Sequence, residues 1–228
     1  MLQIEDIKQT AINDIANVDV LRLMVPHKAH IVEVGSSSGA LAKAYLANSP
    51  STRYTGIEIV EEYAESSRYN CTDVIFGNVE HIDDIKFAEL GTAQTWVFAD
   101  ALEHLYDPWK LLKRIRVNAN GPVEIIACIP NAQNWGIQSI LNNGTFLYQD
   151  SGLLDRTHIR WFTRISILHL FQSCGYQVVE MSVRKFHDPT DQMKDAIRAM
   201  ANAVGADPEM AVIDSIPFQY VLRAVAVE

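Results

Sequence analysis

Five short apolar runs alternate with helix-spaced segments over the first 130 residues, and no other feature constrains the fold as tightly. The runs are AHIVEV (29–34), RYTGIEI (53–59), DVIF (73–76), TWVFA (95–99) and VEIIACI (123–129). The first stops at Gly35 and is followed by Leu41, Ala44 and Tyr45 at helical spacing. Strands separated by helices pair in parallel, because a parallel neighbour needs a crossover connection. The expectation is an α/β fold: a doubly wound, mostly parallel, seven-stranded sheet with helices on both faces.

The alternation stops after Pro130. Residues 131–163 carry no clear helical period, a longer connection than compact domains usually use, and are expected to form a lid. Beyond them the spacing predicts a helix over 164–173 and a strand over 176–183. A further helix is then predicted with Asp188 as cap and Pro189 at its first position, carrying Met193, Ile197, Met200 and Val204 on one face and closed by Gly205. The last strand is expected over 218–227. Ahead of everything, Ile4, Ile7, Ala11, Ile15 and Val18 predict an amphipathic helix within residues 1–25. With no linker composition in between, residues 1–228 are expected to form one domain.

Charge and cysteine narrow the class. With 19 Lys+Arg against 28 Asp+Glu, the formal charge is −9, which disfavours a nucleic-acid binder. Cys71, Cys128 and Cys174 are odd in number and lack any CxxC, so neither a disulfide framework nor a zinc knuckle is expected. No basic-then-apolar leader and no apolar run of spanning length is visible, so a cytoplasmic protein without membrane contact is expected. A homodimer through the amino-terminal helix is an open alternative.

The chemistry concentrates at strand ends. Glu33-Val34-Gly35-Ser36-Ser37-Ser38-Gly39 closes the first strand, a glycine turn of the kind that lets backbone approach an adenosine cofactor. Glu58 ends the second strand about twenty residues on, where an acid can accept from both ribose hydroxyls. Nicotinamide dinucleotides and S-adenosylmethionine both use such a site. GxGxxG from Gly35 fails at Ser37, which disfavours the nicotinamide reading. Tyr106 and Lys110 form the YxxxK pair of short-chain dehydrogenases, but they follow the fourth strand and open a helix, the wrong place for that role.

EVGSSSG, with an acid two residues before the first glycine, resembles the first motif of the class I S-adenosylmethionine-dependent methyltransferases, with Ser37 in place of the middle glycine. Gly77-Asn78-Val79-Glu80 is similar to the family's adenine-cradling loop, with Asn78 for aspartate. Asp100 to Pro108 resembles the D-x-x-E-H-x-x-D-P stretch of small-molecule methyltransferases. LLDRTHIRWFT (153–163) resembles a segment of methyltransferases encoded among glycan-biosynthesis enzymes.

The resemblance implies S-adenosyl-L-methionine as cofactor and S-adenosyl-L-homocysteine as product. It places cofactor contacts at Glu33, Gly35, Ser36, Ser37, Gly39, Glu58, Ile59, Asn78, Val79 and Asp100, and His104 beside the transferred methyl as general base. Asn131, Tyr148, His158 and Arg160 are the candidate contacts to a small-molecule acceptor, within a segment rich in aromatic and cationic side chains. The expected reaction is O-methylation of a sugar or related metabolite, with an NAD(P)-dependent oxidoreductase or a non-catalytic S-adenosylmethionine-binding protein as alternatives. In ubiquinone-pathway O-methyltransferases a similar acid…Glu-His cluster is associated with a divalent metal. Caps and ion pairs use the same residue types more often, so no metal is expected here, with Asp100, Glu103 and His104 as the alternative ligand set.

Overall fold

The structure is a computed structural model that describes residues 14–227. Helices α1 (Val18–Leu23), α2 (Ala40–Leu46), α3 (Glu61–Ser67), α4 (Asp84–Ala88) and α5 (Pro108–Asn118) alternate with strands β1 (His30–Val34), β2 (Arg53–Glu58), β3 (Asp73–Phe76), β4 (Thr95–Ala99) and β5 (Glu124–Pro130). Then follow α6 (Trp135–Asn142), α7 (Arg164–Ser173), β6 (Tyr176–Arg184), α8 (Asp191–Ala203), α9 (Pro208–Ser215) and β7 (Gln219–Ala226). The seven strands form one sheet in the order β3-β2-β1-β4-β5-β7-β6.

Strands β1 to β5 pair in parallel, and β7 enters antiparallel between β5 and β6. Every residue of β1 and of β5 is buried, which is why both read as unbroken apolar runs in the sequence. Their side chains alternate between two cores. Val32, Phe98, Ile125 and Ala127 face one layer with Leu112 and Phe171, while Ile31, Val97, Ile126 and Cys128 face the other with Leu41, Tyr45 and Tyr54. Two covered faces are the doubly wound arrangement expected from the alternation.

Three boundaries differ from expectation. Of the amino-terminal helix, residues 1–13 lie outside the described residues; within the remainder, helix begins only at Val18, where Asn17 Oδ1 accepts from Val20 N at 3.2 Å. Ile15 is 78% exposed, so the spacing from Ile4 to Val18 does not continue onto a packed face there. Helix α8 opens at Asp191, not at Pro189, because Thr190 Oγ1 caps Met193 N at 3.2 Å while Asp188 pairs with Lys185. Helix α9 was not anticipated, although it carries the same signature: Asp207 Oδ1 accepts from the N–H groups of Glu209 and Met210, with Pro208 next in line.

Residues 131–163 do contain a helix, α6, started by Asn134. The rest is an ordered strap. Asn131 bridges Phe162, Gln149 bridges Asp155, and the Ile159 and Arg160 N–H groups both donate to the Glu103 carbonyl at 3.0 Å. The segment is thereby sewn to the loop after β4.

Candidate functional site

A cavity of about 830 Å³ opens where the carboxyl ends of β1, β2 and β4 meet the strap. That is where an open α/β sheet, whose strand order reverses beside β1, leaves a crevice. On the β1–β2 side, Gly35 (φ 77°) and Gly39 (φ 75°) take the left-handed conformation. Ser37 takes it too (φ 48°), so this serine follows a glycine-like path. At Gly39 a Cβ would stand 2.9 Å from Asn70 Cβ and 3.2 Å from the Ser67 carbonyl oxygen, so this turn fits closely against the end of α3.

The turn's amides are spent internally. Gly35 N and Ser36 N donate to the Ile57 carbonyl at 2.8 and 3.3 Å, and Gly39 N donates to the Ser36 carbonyl at 2.7 Å. Ser37 N donates to Glu58 Oε2 at 2.8 Å, while Ile59 N and Val60 N donate to Glu58 Oε1 at 2.8 and 3.0 Å. Three backbone donors hold the buried Glu58 carboxyl at the cavity edge, where a carboxylate keeps acceptor capacity to spare. Glu33 lies beneath it, accepting from Tyr54 Oη at 3.0 Å; burial, helped by the nearby Glu58, pushes its pKa up to about 8.

Asn78 Oδ1 caps the turn after β3 by accepting from Glu80 N at 2.8 Å, and Asn78, Val79 and Ile59 line the cavity. Asp100 does so in a left-handed conformation (φ 58°). Its carboxyl is buried, which raises its pKa, and it accepts from the side chains of Cys128, Gln219 and Asn17. Asn17 and Gln219 escaped sequence reasoning: each is remote in the chain from Asp100 and carries only an ordinary cap or strand-start signal.

The acceptor side departs further from expectation. His158 lines the cavity. Asn131 does not: it is fully buried, and its Nδ2 donates to the carbonyls of Asp214 and Pro217 at 2.8 and 2.9 Å, fastening the end of β5 to the entry of β7. Arg160 donates to the Tyr106 carbonyl and lies over Trp109 at 5.9 Å, outside the cavity lining. Tyr148 packs its ring edge-on to Phe146 and is also absent from the lining. The cationic fork and the aromatic rings therefore staple the strap, while Ser151 to Ile159 supply its wall.

His104 stands on the short turn after β4 and faces the cavity. Its Nδ1 lies 3.0 Å from the Thr157 carbonyl, which fixes that nitrogen as the donor and leaves Nε2 with a lone pair. His158 is held in the same way, Nδ1 to the Leu153 carbonyl at 3.2 Å. Burial, and for His104 also the other imidazole, pushes both pKa values down. The two rings meet edge to face at 4.9 Å, with buried Glu103 beside them. The sequence-derived ligand set is not assembled: Asp100 stands outside the group, and His158 takes its place.

Strand order, antiparallel β7 and the crevice together define the class I methyltransferase fold. No family model and no curated protein matches the chain. Solved structures do. A SAM-dependent methyltransferase from Thermotoga maritima superposes with a TM-score of 0.59 at 16% identity, covering 93% of this chain and 90% of that one. Magnesium protoporphyrin IX methyltransferase from Synechocystis, with bound SAH, gives 0.56 at 10% identity over 86% of this chain and 74% of that chain. An O-methyltransferase from neocarzinostatin biosynthesis, in complex with SAH and 1,4-dihydroxy-2-naphthoic acid, gives 0.52 at 13% identity, covering 88% of this chain and 50% of that one.

Proposed function

We propose that the chain transfers a methyl group from S-adenosylmethionine to an oxygen of a small polar acceptor, a sugar or related metabolite, and releases S-adenosylhomocysteine. The observation that carries this reading is the way the glycine turn spends its amides. A dinucleotide needs free N–H donors for its pyrophosphate, whereas Gly35, Ser36, Ser37 and Gly39 donate within the turn or to β2 and its end. The same wall offers acceptors, Glu58 and Asp100, suited to ribose hydroxyls and an ammonium group. Among the described lining residues the one guanidinium is Arg156, which is already paired with Asp150.

In the reaction the acceptor oxygen forms a bond to the methyl carbon as the carbon–sulfur bond breaks. The sulfonium becomes a neutral thioether, and the hydroxyl proton passes to a base. The base in this reading is His104, supported by its place on the cavity wall and by an Nδ1 bond to Thr157 that leaves Nε2 with a lone pair. Transfer of this kind rests chiefly on alignment, which a strap pinned to Glu103 and a turn pinned to Glu58 provide.

Calorimetric titration with S-adenosylmethionine, S-adenosylhomocysteine and NADH tests the cofactor. Binding of the first two and not the third is expected; NADH binding alone would establish the oxidoreductase alternative. Incubation of a metabolite extract with an isotopically labelled methyl donor, read by mass spectrometry, identifies the acceptor. Cofactor binding with no labelled product from any extract would favour the non-catalytic alternative.

A further inference from the structure

We infer that Glu103, His104 and His158 form a binding site for one divalent transition-metal ion of borderline softness, of which Zn²⁺ is the type, at the acceptor end of the cavity. The three side chains each direct one ligand atom into a common space, all within 4.8 Å of one another. His104 comes from the loop after β4 and His158 from the strap, so the site ties together two segments far apart in the chain.

Two independent features distinguish this group from an ordinary buried cluster. The first is Glu103. It is 1% exposed, and among the described residues neither carboxyl oxygen has a hydrogen-bond partner. His158 Nε2 lies 3.9 Å from Oε1, too far for a hydrogen bond. A buried carboxyl without partners is costly, and a structure retains one where something else satisfies it.

The second is the orientation of the imidazoles. Each spends its Nδ1 proton on a backbone carbonyl, Thr157 for His104 and Leu153 for His158. That is the outer bond by which metal-binding histidines are usually oriented and tautomerically fixed, and it leaves each Nε2 with its lone pair, that of His158 standing 3.9 Å from Glu103 Oε1. Two lone pairs and a carboxylate facing one another repel unless a cation or a shared proton lies between them.

The donor set selects the ion. Two neutral imidazole nitrogens and one oxygen suit zinc and its neighbours in the first transition row, whereas magnesium and calcium take oxygen ligands. Three protein ligands leave a fourth position open, and because His104 and His158 line the cavity it faces the acceptor space. Ligand bonds of about 2.0–2.2 Å place tetrahedral ligands about 3.4 Å apart, so binding closes the trio by about an ångström. The site itself is independent of the methyl-transfer reading. Only its use rests on that reading: an acceptor hydroxyl bound at the open position loses its proton to solvent more readily, and His104 then acts as a ligand in place of a base.

The test uses the full chain, stripped of metal, titrated with Co²⁺ as spectroscopic probe and with Zn²⁺ in competition with a chromophoric chelator, without methyl donor or acceptor. One equivalent of each is expected to bind, Co²⁺ giving the intense visible bands of a four- or five-coordinate ion. Glu103→Gln, His104→Asn and His158→Asn are the variants. Asparagine keeps the donor at the Nδ1 position and lacks Nε2. Each is expected to weaken Zn²⁺ binding about a hundredfold or more, beyond the 10–100-fold that outer-shell changes typically cost. Far-ultraviolet circular dichroism and the thermal transition confirm that each variant is folded. Absence of one-equivalent binding to the native chain, or binding undiminished in folded His158→Asn and Glu103→Gln, would overturn the site. Neither result bears on the cofactor titrations, so failure here and failure of the methyltransferase reading are separable.

Discussion

The two ends of the cavity handle their polar groups in opposite ways. At the glycine-turn end the backbone amides are spent on the chain itself and the acids are held in place, although among the described residues Ser36 Oγ is buried without a partner: Glu58 takes three backbone N–H groups, the turn amides go to Ile57, Ser36 and Glu58, and Asp100 is held by Gln219 and Asn17. At the other end, among the described residues, the buried Glu103 carboxyl accepts no hydrogen bond, and the two imidazoles each keep one nitrogen lone pair. The first arrangement is a rigid mould whose shape is fixed before any ligand arrives. The second is unfinished, and its ligand would complete it. Preorganisation suits a cofactor that every turnover shares, while unsatisfied groups mark where chemistry or a cation enters.

The largest break in this comparison is expected from His104→Ala. Turnover should fall by about 10²–10⁴-fold, with S-adenosylmethionine affinity by calorimetry changed less than about threefold; an equal loss of both would mean that the two ends are not separable.

Glu58→Ala should do the reverse. It removes a partner from three amides, so cofactor affinity should fall about a hundredfold, or about 2.7 kcal/mol, and the thermal midpoint should fall with it. Gly39→Ala tests the rigidity of the mould without touching a polar group. Its left-handed backbone and the approach to Asn70 and Ser67 predict a loss of about 2–3 kcal/mol in chemical denaturation. A loss below about 0.5 kcal/mol would show that the turn yields.

Proton linkage sharpens the contrast at smaller scale. Glu33, pushed to about 8, stays protonated in the folded chain where the unfolded chain ionises. Its contribution is present below pH 4.5 and lost as pH rises toward 8. His30, pushed down to about 4 chiefly by burial and bonded to Thr92 and Thr55, behaves oppositely, its contribution present above pH 6.5 and lost as pH falls toward 4. Between 4.5 and 6.5 these two slopes oppose one another; from 6.5 to 8 His30 no longer titrates and Glu33 contributes about 1.4 kcal/mol per pH unit, in the same sense as buried Glu103 and Asp100, whose pKa values are also raised by burial. Urea denaturation should show that decline in the native chain and a shallower one, by about 1.4 kcal/mol per pH unit, in Glu33→Gln. The smallest effect is expected at Tyr148→Ala. Because the ring is 58% exposed and outside the cavity lining, acceptor KM and kcat should both stay within about twofold; a larger change would return Tyr148 to the acceptor site.

Legibility followed the range of the interaction. Helix α5 was marked by Asp107 and Pro108 beside its start, and Glu58 by its position at the end of an apolar run, since caps and strand ends are local events. Where Arg160 and Asn131 would stand relative to the cavity was illegible for the opposite reason. A cationic or amide side chain looks the same in sequence whether it meets a ligand or a carbonyl, and here the carbonyls belong to Tyr106, Asp214 and Pro217. Helix α9 was legible and passed over, its Asp207-Pro208 start being as clear as that of α5.

The sequence by itself determined the parallel core, the crevice at the ends of β1, β2 and β4, and the acidic strand ends that face it, because periodicity and chain order dictate how buried strands must be wound. Tertiary structure alone decided the partners: Gln219 and Asn17 on Asp100, the Glu103 carbonyl under the strap, and His158 in place of Asp100 beside Glu103 and His104. Those pairings join residues tens of positions apart. Their geometry depends on how the strap folds back across the sheet, and no local spacing encodes that.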